Sequence, residues 1–129
     1  MYKLNSAFQV LYVKDIQDTH RFYQQIGAQI IKLEVDKVVV KLSDYEIHFI
    51  DAETEPWDEY KYIAKLPEKG GSIIFYLETT NLQAAFKLVK EAGGLIKSEI
   101  KENWWNASEF LFEDKDGYKF VIFSYKNEY

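Results

Sequence analysis

Few residues in this chain can do chemistry. Its 129 residues include no cysteine and only two histidines, His20 and His48. The missing cysteines remove disulfides, thiolate nucleophiles and thiolate metal sites together. A non-haem iron site of the two-histidine, one-carboxylate type would need both imidazoles in one place. His20 falls in a stretch with helical spacing and His48 in one that alternates as a strand, so that design is excluded. Glu46 precedes His48 by two residues, which puts both side chains on one side of a strand. A carboxylate–imidazole pair can do acid–base work, because histidine exchanges protons near neutral pH. Three readings of His48 stay open: a half-buried ring bonded to a neighbour or water, a base touching a ligand, or a lone metal anchor. Glu46 reads first as a surface glutamate near the rim of the interior.

The elements that must position these groups come in two similar runs. Residues 6–14 alternate as a strand, Asp15 can cap a helix ending near Gly27, and strands follow at about 28–35, 37–43 and 45–51. A polar stretch with Pro56 and Pro67 reads as a linker, with a short helix near "WDEYKYIAKL". Then come a strand at 72–78, a helix at about 81–92, and strands near 94–101, 107–113 and 118–125. "DIQDTHRFYQQIGA", from Asp15, aligns with "NLQAAFKLVKEAGG", from Asn81. Each begins on a capping residue, carries apolar side chains at helical spacing and closes on glycine. The pattern predicts an α+β fold of one domain built from two βαβββ modules, at about 1–52 and 70–126, joined by a linker over 53–69. Two such sheets side by side would make a cup-shaped mixed sheet with an interior suited to a small ligand.

Three stretches carry a resemblance to a known family: "LYVKDIQDTHRFYQQIGA", "NLQAAFKLVKEAGG" and "WWNASEFLFEDKDGYKF". Together they are similar to the vicinal oxygen chelate superfamily, which groups glyoxalase I, extradiol dioxygenases and bleomycin-resistance proteins. The last stretch looks like the resistance-protein branch, with Asn106 where a glycine is usual and Lys115 in place of a proline. The resemblance covers nearly the whole chain and implies the glyoxalase/bleomycin-resistance fold. It also implies a homodimer and, in the metal-dependent members, a divalent ion held from four positions. Those positions match Phe8, His48, Ser72 and Val121 here. Only His48 carries a good donor, and typical sites use three protein ligands. No metal and no cofactor are therefore expected.

Alternation predicts what lines the interior: Phe8, Val10 and Tyr12, then Glu46, His48 and Ile50, then Ser72, Ile74 and Tyr76, then Val121, Phe123 and Tyr125. The opposite register, with Leu11, Val13, Phe75, Leu77, Phe120 and Ile122, is expected to pack on the helices. Candidate ligand contacts are Phe8, Tyr12, His48, Ile50, Tyr76, Trp104, Trp105, Val121 and Phe123, an aromatic set suited to a planar ligand held by stacking. Trp104 and Trp105 are read as a wall or lid over the mouth, a subunit contact, or a plug for the barrel end. The acidic run at Glu53, Glu55, Asp58 and Glu59 reads as a solvated linker or as a lure for cations.

The expected function is a metal-independent small-molecule binding protein that sequesters an aromatic or planar ligand in an apolar cleft. The alternative is a metal-dependent glyoxalase-like lyase or isomerase using His48 with Glu46 and Glu109. A third reading is a regulatory or scaffold domain whose cup is only core. Net charge of −5 and a single arginine, Arg21, argue against nucleic acid. No run approaches the ~18 apolar residues of a membrane span, and "FQVLYV" is too short for a signal segment. A cytoplasmic location without membrane attachment is expected.

Overall fold

The computed structural model describes residues 2–126. Residues up to Leu66 form one compact unit and those from Pro67 another. The first unit runs β1 (Gln9–Val13), α1 (Ile16–Gln25), β2 (Gln29–Leu33), β3 (Lys37–Leu42) and β4 (Tyr45–Asp51). A single 3-10 turn at Ala52–Thr54 and a short helix α2 (Asp58–Ala64) follow. The second unit runs β5 (Ile74–Glu78), α3 (Leu82–Ala92), β6 (Leu95–Ile96), β7 (Lys101–Glu102), β8 (Ala107–Glu113) and β9 (Lys119–Tyr125). The result is an α+β fold with one mixed sheet per unit, ordered β1-β4-β3-β2 and β5-β9-β8-β6, with β7 also paired to β8. Each sheet contains one parallel pair, β1 with β4 and β5 with β9.

The helix ends follow from local chemistry. Asp15 Oδ1 accepts hydrogen bonds from the Gln17 and Asp18 amides, and Asn81 Oδ1 accepts one from Ala84. These bonds satisfy amides that have no partner inside a helix. Gly93 ends α3 at φ 96°, a left-handed conformation open to glycine at no steric cost.

Helices α1 and α3 each cover one face of the sheet of their own unit. In the first unit Ile16, Phe22 and Tyr23 of α1 are buried with Val13, Ile47 and Phe49, and the Tyr23 and Phe49 rings lie 4.6 Å apart. In the second the core is a run of phenylalanines: Phe75 stacks on Phe120 at 4.9 Å, Phe120 on Phe112 at 5.5 Å, and Phe110 meets Phe86 of α3 at 5.0 Å. A fully buried side chain of this size contributes about 1.5–3 kcal/mol. Of the register expected to pack on the helices, Leu11, Val13, Phe75, Phe120 and Ile122 are buried and Leu77 is half-buried, while Tyr12 and Val121 of the opposite register are buried too.

Two stretches differ from the sequence pattern. The strand expected at 94–101 is broken into β6 and β7. There Ser98 Oγ accepts the Leu111 amide, while the Lys97 and Ser98 amides share the Leu111 carbonyl. A hydroxyl that takes a ladder position interrupts the regular pairing. Ser72, expected at the head of a strand, lies before β5 in a turn closed by Ile73 N–H to Gly70 O at 2.8 Å.

Because Asp15 satisfies two amides at once, Asp15→Ala is expected to lower unfolding free energy by about 1 kcal/mol, with Asp15→Asn close to wild type. Urea denaturation of the three proteins checks this. Equal midpoints for Ala and wild type would remove the cap from the account.

Candidate functional site

The sheet faces turned away from α1 and α3 carry the candidate residues. In the first unit Val10 and Val39 flank His48 on the neighbouring strands, and Lys41 lies across from Glu46. His48 Nε2 lies 2.7 Å from Glu46 Oε1. A carboxylate only accepts, so the ring donates from Nε2. Phe8, just before β1, stacks on the imidazole at 3.9 Å with 17° between the ring planes. The His48 side chain is 13% exposed and that of Glu46 42%. Tyr12 and Ile50 pair across β1 and β4 farther along the same face.

Tyr12 is buried, and its hydroxyl donates to Glu55 Oε1 at 2.5 Å. Burial first, then the hydrogen bond to and negative charge of Glu55, push its pKa from the ordinary 10.0 to about 12. Glu55 thus ties the segment after β4 back to β1, which the reading of this run as a solvated linker did not include.

In the second unit four rings gather on the open face of β5 and β9. Trp105 packs edge-on against Phe123 at 5.1 Å and Tyr125 at 5.7 Å, and Phe123 meets Tyr125 at 5.4 Å. Tyr76 lies 6.0 Å from Phe123 and 6.3 Å from Trp105. Val121, paired with Tyr76 on the same face, is buried. Tyr76 and Tyr125 remain about half exposed, at 49% and 56%.

The loop that delivers Trp105 is built by Asn103. Its Oδ1 accepts the Trp105 and Ala107 amides, and its Nδ2 donates to Glu109 Oε1 at 2.7 Å. Asn106 adopts φ 67°, a left-handed conformation that asparagine tolerates better than most residues. That is why asparagine can stand where the sequence resemblance expects glycine. Trp104 points outward at 93% exposure, while Trp105 joins the rings. The adjacent tryptophans therefore have different environments.

A match to the glyoxalase/bleomycin resistance protein/dioxygenase superfamily model spans residues 4–122. The chain belongs to this superfamily. Solved structures with the same fold include a hypothetical protein from S. aureus, at TM-score 0.80 and 19% identity over 95% of each chain. A glyoxalase-related enzyme from Fulvimarina pelagi gives 0.78 and 13%, covering 93% of this chain and 87% of that one. A bleomycin resistance determinant encoded on transposon Tn5 gives 0.63 and 14%, covering 96% and 100%. No curated protein matches the sequence.

The superfamily's metal chemistry can be tested on the donors present. Phe8 offers a phenyl face to His48, Val121 a buried hydrocarbon, and Ser72 an exposed hydroxyl in a turn. Among the described residues no group of three or more histidine, cysteine, aspartate or glutamate side chains is placed to hold an ion. The residues do not fit a divalent metal. A polar cleft of about 360 Å³ near Glu68, Lys69, Glu113 and Lys119 lies at the opposite end of β9 from Tyr125 and contains none of the candidates.

Of the nine candidate contacts, Phe8 and His48 touch, as do Tyr76, Trp105 and Phe123. Tyr12 and Val121 are buried, Ile50 sits beside Tyr12, and Trp104 makes no ring contact among the described residues. Asn103 and Glu55 were not among the candidates. An asparagine three residues before Asn106 in a hairpin loop was the available signal for the first.

Two outcomes test this geometry. Folded Tyr12 holds its proton more tightly than an unfolded tyrosine, so its stabilising effect is complete below pH 10.0 and is lost as pH rises through about 12. Tyr12→Phe is expected to remove a late-titrating phenol from the tyrosinate absorbance curve and to cost about 1 kcal/mol at neutral pH, since Glu55 can rehydrate. Asn103→Ala is expected to cost about 1–2 kcal/mol and to red-shift tryptophan emission as Trp105 leaves its cluster. An unchanged emission maximum would mean that the loop holds Trp105 without Asn103.

Proposed function

We propose that this protein binds a small aromatic or planar ligand without a metal ion and works by sequestering it. The observation that carries this reading is the cluster of Tyr76, Trp105, Phe123 and Tyr125. Four rings on one sheet face, two of them half exposed, offer flat apolar surface and edge hydrogens to a ring placed against them. The loop bonds of Asn103 hold Trp105 in position before any ligand arrives, so little side-chain entropy is lost on binding. A binder needs no reacting group at this surface.

Superfamily membership is compatible with both binding and catalysis, because function lies in the site and not in the fold. The lyase or isomerase alternative has one observation in its favour, the Glu46–His48 contact. It lacks the donor set that its metal would need. A homodimer also belongs to the proposal, supported by the terminal strand β2 of the first sheet with its exposed Ile31 and Leu33. Light scattering on the purified chain tests that part. A cytoplasmic location completes the reading; among the described residues no helix is long and apolar enough to cross a membrane.

The test is a thermal-shift screen against aromatic antibiotics and aromatic metabolites, with and without a chelator. A ligand at a hundred times its Kd is expected to stabilise the protein by about 2.7 kcal/mol. The gain should be unaffected by chelator and much reduced in Trp105→Ala. Elemental analysis finding about one divalent ion per chain, removable with loss of ligand binding, would defeat the proposal. Methylglyoxal–thiol turnover that disappears in His48→Ala would favour the enzyme instead.

A further inference from the structure

The first unit holds a polar group whose chemistry the aromatic cluster does not use. His48 has two ring nitrogens, and the Glu46 carboxylate takes the hydrogen of one, Nε2. In the neutral ring that leaves Nδ1 bare, as an acceptor. Nδ1 has no protein partner among the described residues, and it is not a buried orphan, so it opens to solvent. The rest of the ring is enclosed: Phe8 covers one face at 3.9 Å, and the side chain is only 13% exposed. Val10 and Val39 stand on either side along the sheet.

We propose that Glu46 and His48 form a metal-free acceptor subsite that selects ligands carrying a hydroxyl or N–H donor on a planar ring. The carboxylate has two effects. In the neutral ring it fixes the tautomer by holding the hydrogen on Nε2, and by drawing on that hydrogen it makes Nδ1 a stronger acceptor. Phe8 limits access to the ring edge, so a donor must approach in the imidazole plane, where the lone pair lies. The apolar neighbours suit the hydrocarbon body of a ring but satisfy no second polar group. One donor on a flat apolar frame is the chemistry that fits.

The proposal rests on the binder reading and names the ligand chemistry within it. Phenol and anisole are the probes, since they share a ring and differ in the donor. Imidazole nitrogen resonances of uniformly ¹⁵N-labelled protein are followed at mildly alkaline pH, with His20 on α1 as internal reference. His48 is expected to be the Nε2–H tautomer before addition. Phenol should move its Nδ1 resonance upfield in a saturable way, while anisole should not, and His20 should stay put under both. Glu46→Ala should release the ring to a mixture of tautomers and weaken the phenol effect severalfold.

An Nδ1–H tautomer in the free protein, or equal effects or no effect from the two probes, would overturn the proposal. Trp105 fluorescence in the same samples, and with the wider aromatic panel, separates the two readings. Quenching without any His48 response sinks the acceptor subsite alone. No quenching by any aromatic compound, phenol included, sinks the binder as well.

Discussion

A β-strand cannot send two successive side chains to the same side, and most of this structure follows from that constraint. Leu11, Val13, Ile47 and Phe49 face α1, and Phe75, Phe110, Phe112 and Phe120 face the α3 side of the second sheet, nearly all sealed from water. Their sequence neighbours must face the other way. Val10 and His48 stand on the face turned away from α1, and Tyr76 and Phe123 on the face turned away from α3. The hydrophobic effect thus sets the register from one face, and the chemistry of the other face is free to vary. A shift of one residue would bury His48 and expose Phe49, so register is held by the whole core.

Much of this could be read from residue types alone. Asp15, Asn81 and the glycines after each helix gave the helix limits, because capping depends on single side chains and on left-handed backbone. Strands β4, β8 and β9 were readable because their alternation is long and regular. What escaped were bonds between a side chain and a distant or irregular backbone. Ser98 breaks a strand by accepting the Leu111 amide, and Asn103 organises a loop through three bonds. Glu55 reaches Tyr12 across 43 positions. None of these leaves a trace in hydrophobic periodicity. Similarly, two adjacent tryptophans give no hint of which turns inward until the loop geometry around Asn106 is known.

The two open faces have different energetics. In the second unit the rings gain from mutual edge contacts, each pair worth about 0.5–1.5 kcal/mol beyond burial. Those contacts hold the side chains in fixed rotamers while leaving Tyr76 and Tyr125 half exposed. In the first unit the polar pair is arranged around an aromatic wall. Stacking fixes the imidazole plane and the carboxylate fixes its protons, so position and tautomer are set by different neighbours. A ring restrained in both ways has one direction left in which to meet a ligand.

The same restraint explains why the only imidazole on these faces makes a poor anchor for an ion. A divalent cation needs several lone pairs converging at about 2 Å and repays their desolvation only if the set is nearly complete. Nε2 carries the hydrogen that Glu46 accepts, so binding an ion there would break the 2.7 Å contact. Nδ1 has no protein partner among the described residues, but the ring is stacked on Phe8, and Val10 and Val39 pair with His48 on the neighbouring strands. One nitrogen on hydrocarbon surroundings cannot replace the water shell of such an ion. It can accept one hydrogen from a neutral donor, at little desolvation cost. The poor fit to a cation therefore follows from the partners of His48 more than from His48 itself.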